Sequence, residues 1–133
     1  MMKVVCGILI WNDKVLIGKR KLTNKIKPGK WEFPGGKMEE GETTYETIIR
    51  EFKEELDIDI QPFHEFRTLS EDGIEFTPMT VWLKGGKAKL LEHDEIKFVD
   101  EKQFHNMDLT NLSKEAGKIL FSSYNLFLRK GNE

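Results

Sequence analysis

Glu51, Glu54 and Glu55 stand at i, i+3 and i+4, so on a helix their carboxylates gather on one face. Like charges at that spacing repel by roughly a few tenths of a kcal/mol per pair, and a cation is the natural compensation. Oxygen-only ligands favour a hard ion, Mg²⁺, Mn²⁺ or Ca²⁺, over zinc. The bland alternative is a solvated acidic face, which for an arbitrary Glu-rich helix is the better bet. The surrounding residues have to decide between the two.

A helix is the element these carboxylates need. Thr43 with Glu46 three residues on has the spacing of a capping box, and good helix formers run on to Leu56. Tyr45, Ile48, Ile49, Phe52 and Leu56 fall on one side of the wheel, which predicts the face that packs on a sheet. Before the helix, Trp31-Glu32-Phe33 reads as a short strand ended by Pro34-Gly35-Gly36. Earlier still, Val4 to Trp11 and Lys14 to Lys19 form a hairpin about the turn formers Asn12-Asp13.

After the helix the pattern returns to β. Phe63 to Leu69 and Ile74 to Leu83 flank a turn at Glu71-Asp72-Gly73 and predict an antiparallel pair, with Gly85-Gly86 as its break. On the second of these strands Phe76 and Trp82 share a side and Leu83 takes the other. Ile96 to Val99 reads as a last short strand. An apolar stripe of Ala116, Ile119, Leu120, Tyr124 and Phe127 predicts a second packed helix over 113–128, followed by a frayed tail over 129–133. The order sheet, helix, sheet, helix points to an α/β chain of the mixed α+β kind, with a mixed, partly antiparallel sheet between helical layers.

Composition bounds the partners. The 133 residues suit one compact domain, 1–133, and no repeat, low-complexity tract or linker divides them. A net charge of -2, from 21 basic and 23 acidic residues, leaves no electrostatic footprint for long nucleic acid. Cys6 is the only cysteine, and its apolar setting predicts a buried thiol in a reducing compartment. The run Val4 to Ile10 is too short for a membrane span and lacks a cleavage site, so a cytoplasmic protein without membrane partners is expected.

The stretch Gly36, five residues, Glu42, seven residues, Arg50-Glu51-Phe52-Lys53-Glu54-Glu55-Leu56-Asp57-Ile58 resembles the Nudix box. Those Gly, Glu and Arg matches arise by chance on the order of once in a million start sites at ordinary residue frequencies. Lys30-Trp31-Glu32-Phe33-Pro34-Gly35-Gly36-Lys37 and the hairpin ending in Lys19-Arg20 are similar to the MutT-like branch, which hydrolyses nucleoside triphosphates. Asp57 departs from the pattern, standing where the family usually has the glycine that ends the helix. Aspartate enters the left-handed conformation at some cost, so a slightly strained turn is expected there.

The resemblance implies a Nudix-type α/β/α sandwich and a set of roles. Glu51, Glu54, Glu55 and the Gly36 carbonyl would bind Mg²⁺, with Mn²⁺ as a possible substitute. The general base would be Glu92 or Glu55; Asp94 and Glu95 are rivals of Glu92, and His93 reads as a solvated loop histidine. Glu42 is a brace between loop and helix, and Arg50, with Glu46 and Glu54 one turn to either side, holds the acidic cluster by ion pairing. Arg20 and Lys37 would meet phosphate oxygens. Phe33 would stack on a base, and Phe76, Met79 and Trp82 are either stackers or core. Asn111 either reads a base edge or caps the last helix.

The activity so implied is Mg²⁺-dependent conversion of a nucleoside triphosphate to the monophosphate and pyrophosphate. An oxidised purine nucleotide resembling 8-oxo-dGTP, or a CTP-like pyrimidine, is the expected substrate, acted on by a monomer or weak homodimer. Two alternatives stay open. One is a Nudix hydrolase of a nucleotide sugar, dinucleoside polyphosphate or capped RNA; the other is a nucleotide-binding module without catalysis.

Overall fold

The hairpin opens like a V, and that opening organises the molecule. A computed structural model describes residues 1–123. Its first strands, β1 (Met2–Trp11) and β2 (Lys14–Arg20), pair only at their closed end, Ile10 with Val15 and Trp11 with Lys14. Asn12 and Asp13 take φ of 53° and 60°, as the predicted turn requires. Beyond the turn each strand finds other partners. β2 lies between β3 (Trp31–Glu32) and β8 (His93–Val99), both antiparallel. β1 runs parallel to β7 (Ile74–Gly85) and antiparallel to β4 (Gly35–Lys37). β5 (Asp59–Glu65) and β6 (Leu69–Glu71) complete the mixed sheet on β7.

Two apolar layers follow from the alternation of β1. Val5 and Leu9 face α1 (Thr44–Leu56) and join Ile48, Phe52, Leu56, Met79 and Val81. Cys6, Ile8 and Ile10 face the other way, toward α2 (Glu101–His105) and α3 (Asn111–Ser122), and join Phe33, Phe76, Phe104, Ala116 and Leu120. Helices therefore cover both faces, an α/β/α sandwich. Close approach is bought by glycine: a Cβ on Gly7 would strike the Phe52 ring, and one on Gly117 the Phe104 ring. Among the described residues no helix is long and apolar enough to cross a membrane.

Several elements differ from their sequence expectation. Gly35-Gly36 does not end a strand but begins β4, because the chain crosses at Phe33-Pro34 from β2's half of the sheet to β1's. The run from Phe63 to Leu69 is two strands, since β5 ends at Glu65. β8 begins at His93, not Ile96. On α1, Tyr45 and Ile49 are exposed, while Thr47 and Glu55 are buried. The expected capping box is present at both of its bonds. The short α2 was not foreseen, although Asp100 and Gln103 form the same kind of box. α3 starts two residues earlier than expected, and its N-cap position falls to Thr110, whose side chain makes no capping bond, not to Asn111. Tyr124, Phe127 and the tail over 129–133 lie outside the described residues.

Candidate active site

α1 delivers its three glutamates into different surroundings. The Glu51 side chain is 13% exposed, that of Glu54 54% and that of Glu55 9%. With Arg20, Asn24, Glu32, Gly35, Glu92 and His93 they line a polar cleft of about 390 Å³. Glu55 is the electrostatically unusual member. Its Oε2 is buried without a partner, and desolvation, followed by the nearby charge of Glu51, pushes its pKa up to about 10. Glu32 and Glu92 add smaller repulsions.

Arg50 organises the other side of the cluster. Its guanidinium donates from Nε to Glu42 Oε2 (2.7 Å) and from Nη2 to Glu42 Oε1 (2.9 Å). It also reaches Glu51 (3.0 Å), Glu54 (3.2 Å) and the Lys37 carbonyl (3.0 Å). Glu42 further accepts from the Glu39 N–H and the Thr47 hydroxyl. Those bonds, led by Arg50, lower the Glu42 pKa to about 2 and raise that of Arg50. These bonds tie the loop before α1 to the helix through one guanidinium. Arg50 does not pair with Glu46, whose carboxylate turns back to the Thr43 N–H to close the capping box.

The late acidic residues are sorted by the segment that carries them. Lys89 and Leu91 donate their N–H groups to the carbonyls of Leu56 and Glu55, which helix geometry leaves unsatisfied. This pins the segment to the end of α1 and sets Glu92 in the acidic cleft. Asp94 instead accepts from the Leu22 N–H. His93 is not a solvated loop residue: it is 4% exposed in β8, and its Nε2 lies 3.1 Å from Glu32 Oε2 and 3.8 Å from Glu55 Oε1. Glu32, unnoticed in the sequence as a site residue, also accepts from Arg20 Nη1 at 3.0 Å.

A second cleft, about 230 Å³, adjoins the first and shares Arg20, Glu32 and Gly35 with it. Phe33, Phe76, Val4, Cys6 and Leu112 supply apolar walls, and Lys37 and Thr110 also line it. Phe33 is stacked on Phe104 (5.3 Å between centroids, 18°) and its backbone N–H donates to Ser113 Oγ. Met79 belongs to the core under α1, and Trp82, 44% exposed, stacks on Phe63. Asn111 is not in this cleft. It lines a neighbouring one with Lys30, His105 and Lys114, and its amide donates to Glu71 Oε2 at 3.0 Å.

The donor set fits a hard divalent ion. It consists of oxygens, one of them an orphaned buried carboxylate oxygen on Glu55, and Gly36 has no Cβ where the Glu51 carboxylate packs against its backbone. Among the described residues the side chains are not drawn together at ligand distance as they stand, because Arg50 holds Glu51 and Glu54 toward itself.

Comparison with known proteins places this geometry among relatives. The NUDIX domain model matches residues 1–120. A putative 8-oxo-dGTP diphosphatase 2 of Mycobacterium tuberculosis is 29% identical over 111 residues, 79% of this chain and 77% of that protein. An 8-oxo-dGTP diphosphatase of Proteus vulgaris is 38% identical over 61 residues, 46% of this chain and 54% of that protein. The solution structure of the Escherichia coli ORF135 protein superposes with a TM-score of 0.81 at 20% identity, covering 96% of this chain and 94% of that one. At that identity the likeness is one of fold.

Proposed function

The chain belongs to the NUDIX family as a MutT-like hydrolase, and on that premise we propose that it converts a nucleoside triphosphate to the monophosphate and pyrophosphate with Mg²⁺. One observation carries the proposal: an oxygen-lined acidic cleft and a half-apolar cleft meet at Arg20, Glu32 and Gly35. A ligand with an aromatic base at one end and a polyphosphate at the other has the shape and polarity of that pair. Its triphosphate would cross the junction beside the Arg20 guanidinium.

Each residue then has a defined task. Phe33 and Phe76 would offer apolar surface to the base, with Phe33 packed on Phe104. Arg20 and Lys37 oppose phosphate charge. Glu51, Glu54, Glu55 and the Gly36 carbonyl would hold Mg²⁺, which when bound neutralises phosphate charge and lowers the pKa of water. Glu92, exposed in the acidic cleft, would take the proton of the attacking water, with Glu55 the alternative base. Arg50 and Glu42 keep the glutamate-bearing helix in register with the β4 backbone through the Lys37 carbonyl.

The substrate we favour is an oxidised purine triphosphate of the 8-oxo-dGTP kind, supported by the names of the two bacterial relatives; a CTP-like pyrimidine is the second choice. Pyrophosphate release should be measured with Mg²⁺ across 8-oxo-dGTP, dGTP, CTP, dCTP and a nucleotide sugar. The highest kcat/KM is expected for 8-oxo-dGTP. Turnover confined to the nucleotide sugar would move the chain to another substrate class, and absence of any triphosphate turnover would refute the proposal.

A further inference from the structure

The catalytic roles above leave one buried group without a task. His93 has no contact with the half-apolar cleft, yet its side chain is only 2% exposed, and burying an imidazole among carboxylates is costly unless its N–H is used. Its Nε2 faces Glu32 Oε2 at 3.1 Å. A carboxylate only accepts, so Nε2 is the donor. The other carboxylate oxygen, Oε1, accepts from Arg20 Nη1 at 3.0 Å. Glu32 is thereby gripped from both sides, and Arg20 is aimed by a carboxylate that cannot rotate.

The sheet explains how the ring gets there. β2 separates β8, which carries His93, from β3, which carries Glu32. At the crossing point β2 has Gly18, whose strand partners are Glu32 on one side and Ile96 on the other. A Cβ on Gly18 would lie 2.6 Å from His93 Cδ2, so any other residue would displace the ring. The missing side chain is a saddle over which His93 reaches from one neighbouring strand to the other.

The geometry points to His93 as a positioning residue: through Glu32 it fixes the Arg20 guanidinium at the junction of the two clefts, where the phosphate chain crosses. Arg20 has one further tether, its Nε donating to the Ile26 carbonyl at 3.1 Å. Two anchors of different origin, a carboxylate and a loop carbonyl, define the plane of the guanidinium. Loss of His93 frees Glu32 to swing and Arg20 with it, so the cost falls on substrate capture rather than on the chemical step.

This inference rests on the nucleoside triphosphate reading, and kinetics separate the two. In wild-type protein, His93→Phe keeps the ring's bulk and removes the donor; KM for the preferred triphosphate should rise about tenfold, the loss of one charge-assisted bond, with kcat within about threefold. His93→Gln, which returns an amide N–H near the Nε2 position, should recover most of that loss. In an Arg20→Ala background, His93→Phe should add less than about twofold, because both act through one guanidinium. Losses that multiply across the two sites, or a loss confined to kcat, would overturn the inference while leaving the proposed activity intact. Should His93→Phe fail to fold by circular dichroism, Glu32→Gln in the same two backgrounds reads the same coupling from a partly exposed position. A wild type inactive on every triphosphate removes the activity and this role together.

Discussion

Arg50 and Glu55 sit little more than one turn apart on α1 among the same carboxylates, and their energetics are opposite. Around Arg50 every charge is answered: five of its contacts lie between 2.7 and 3.2 Å, and Glu42, its main partner, is held well into its ionised range. Around Glu55 the acidic neighbours are Glu51, Glu32 and Glu92, the nearest base is His93 at 3.8 Å, and one of its oxygens has no partner at all. Hydrogen-bonded charge pairs stabilise a fold, whereas a buried carboxylate beside like charges costs it. On the proposed reading, the satisfied Arg50 cluster offsets the cost of leaving the Glu55 pocket open to a cation.

The largest effect should come from removing the unsatisfied carboxyl. Glu55→Gln is expected to cut pyrophosphate release by about a thousandfold, since it deletes both a metal oxygen and a candidate base. The same change should raise the Tm of the metal-free protein by on the order of a few degrees. The sign follows from the raised pKa. With a folded value of about 10 against 4.5 unfolded, the folded state favours protonated Glu55. Its stability penalty is therefore absent below pH 4.5 and grows as pH rises from there toward about 10. Thermal melts in chelator at pH 5 and pH 8 check this; a Tm gain no greater at pH 8 than at pH 5 would contradict it. Added Mg²⁺ should stabilise the wild type more than the variant.

Breaking the satisfied cluster should give the reverse signature. Glu42→Gln is expected to lower Tm at neutral pH and to reduce activity by about tenfold, through misplacement of Glu51 and Glu54 when Arg50 loses its anchor. Here the folded pKa is depressed to about 2 from 4.5. The stabilisation is fully present above pH 4.5 and disappears as pH falls toward 2. Melting curves of wild type and variant should accordingly converge across that acid window. Curves that stay parallel down to pH 2 would show that Glu42 is not the titrating partner of Arg50.

This contrast was only half legible in the sequence. Spacing alone placed Glu51, Glu54 and Glu55 on one helix, and the Thr43-Glu46 pair marked the helix start, because both rules are local. The Asn12-Asp13 hairpin was legible for the same reason. The burial of Glu55 and the exposure of Ile49 were not, since a wheel shows a face but not how far the sheet extends beneath it. His93 escaped because its partner, Glu32, lies 61 residues away and is reached only across Gly18. A glycine in the middle of β2 was the one available signal of a close approach. Asn111 opens α3 and donates to Glu71, 40 residues away, a contact that no local rule displays.

The smallest expected effect lies at the end of the same helix, where a third set of charges is solvated. Asp57 holds φ 56°, ψ 38° and pairs with Lys53 at 3.3 Å and Lys89 at 3.1 Å, all three side chains being more than a third exposed. Asp57→Gly sets two terms against each other. Glycine relieves the left-handed strain, but it forfeits the exposed pairs and adds freedom to the unfolded chain. Near-cancellation is expected, with Tm within about 2 °C of wild type and kcat within about twofold. High salt should lower the wild-type Tm slightly and leave the variant unchanged. A clear fall in activity at unchanged Tm would carry a different lesson: the Asp57–Lys89 pair would then be helping the Lys89 and Leu91 N–H groups hold Glu92 over the acidic cleft.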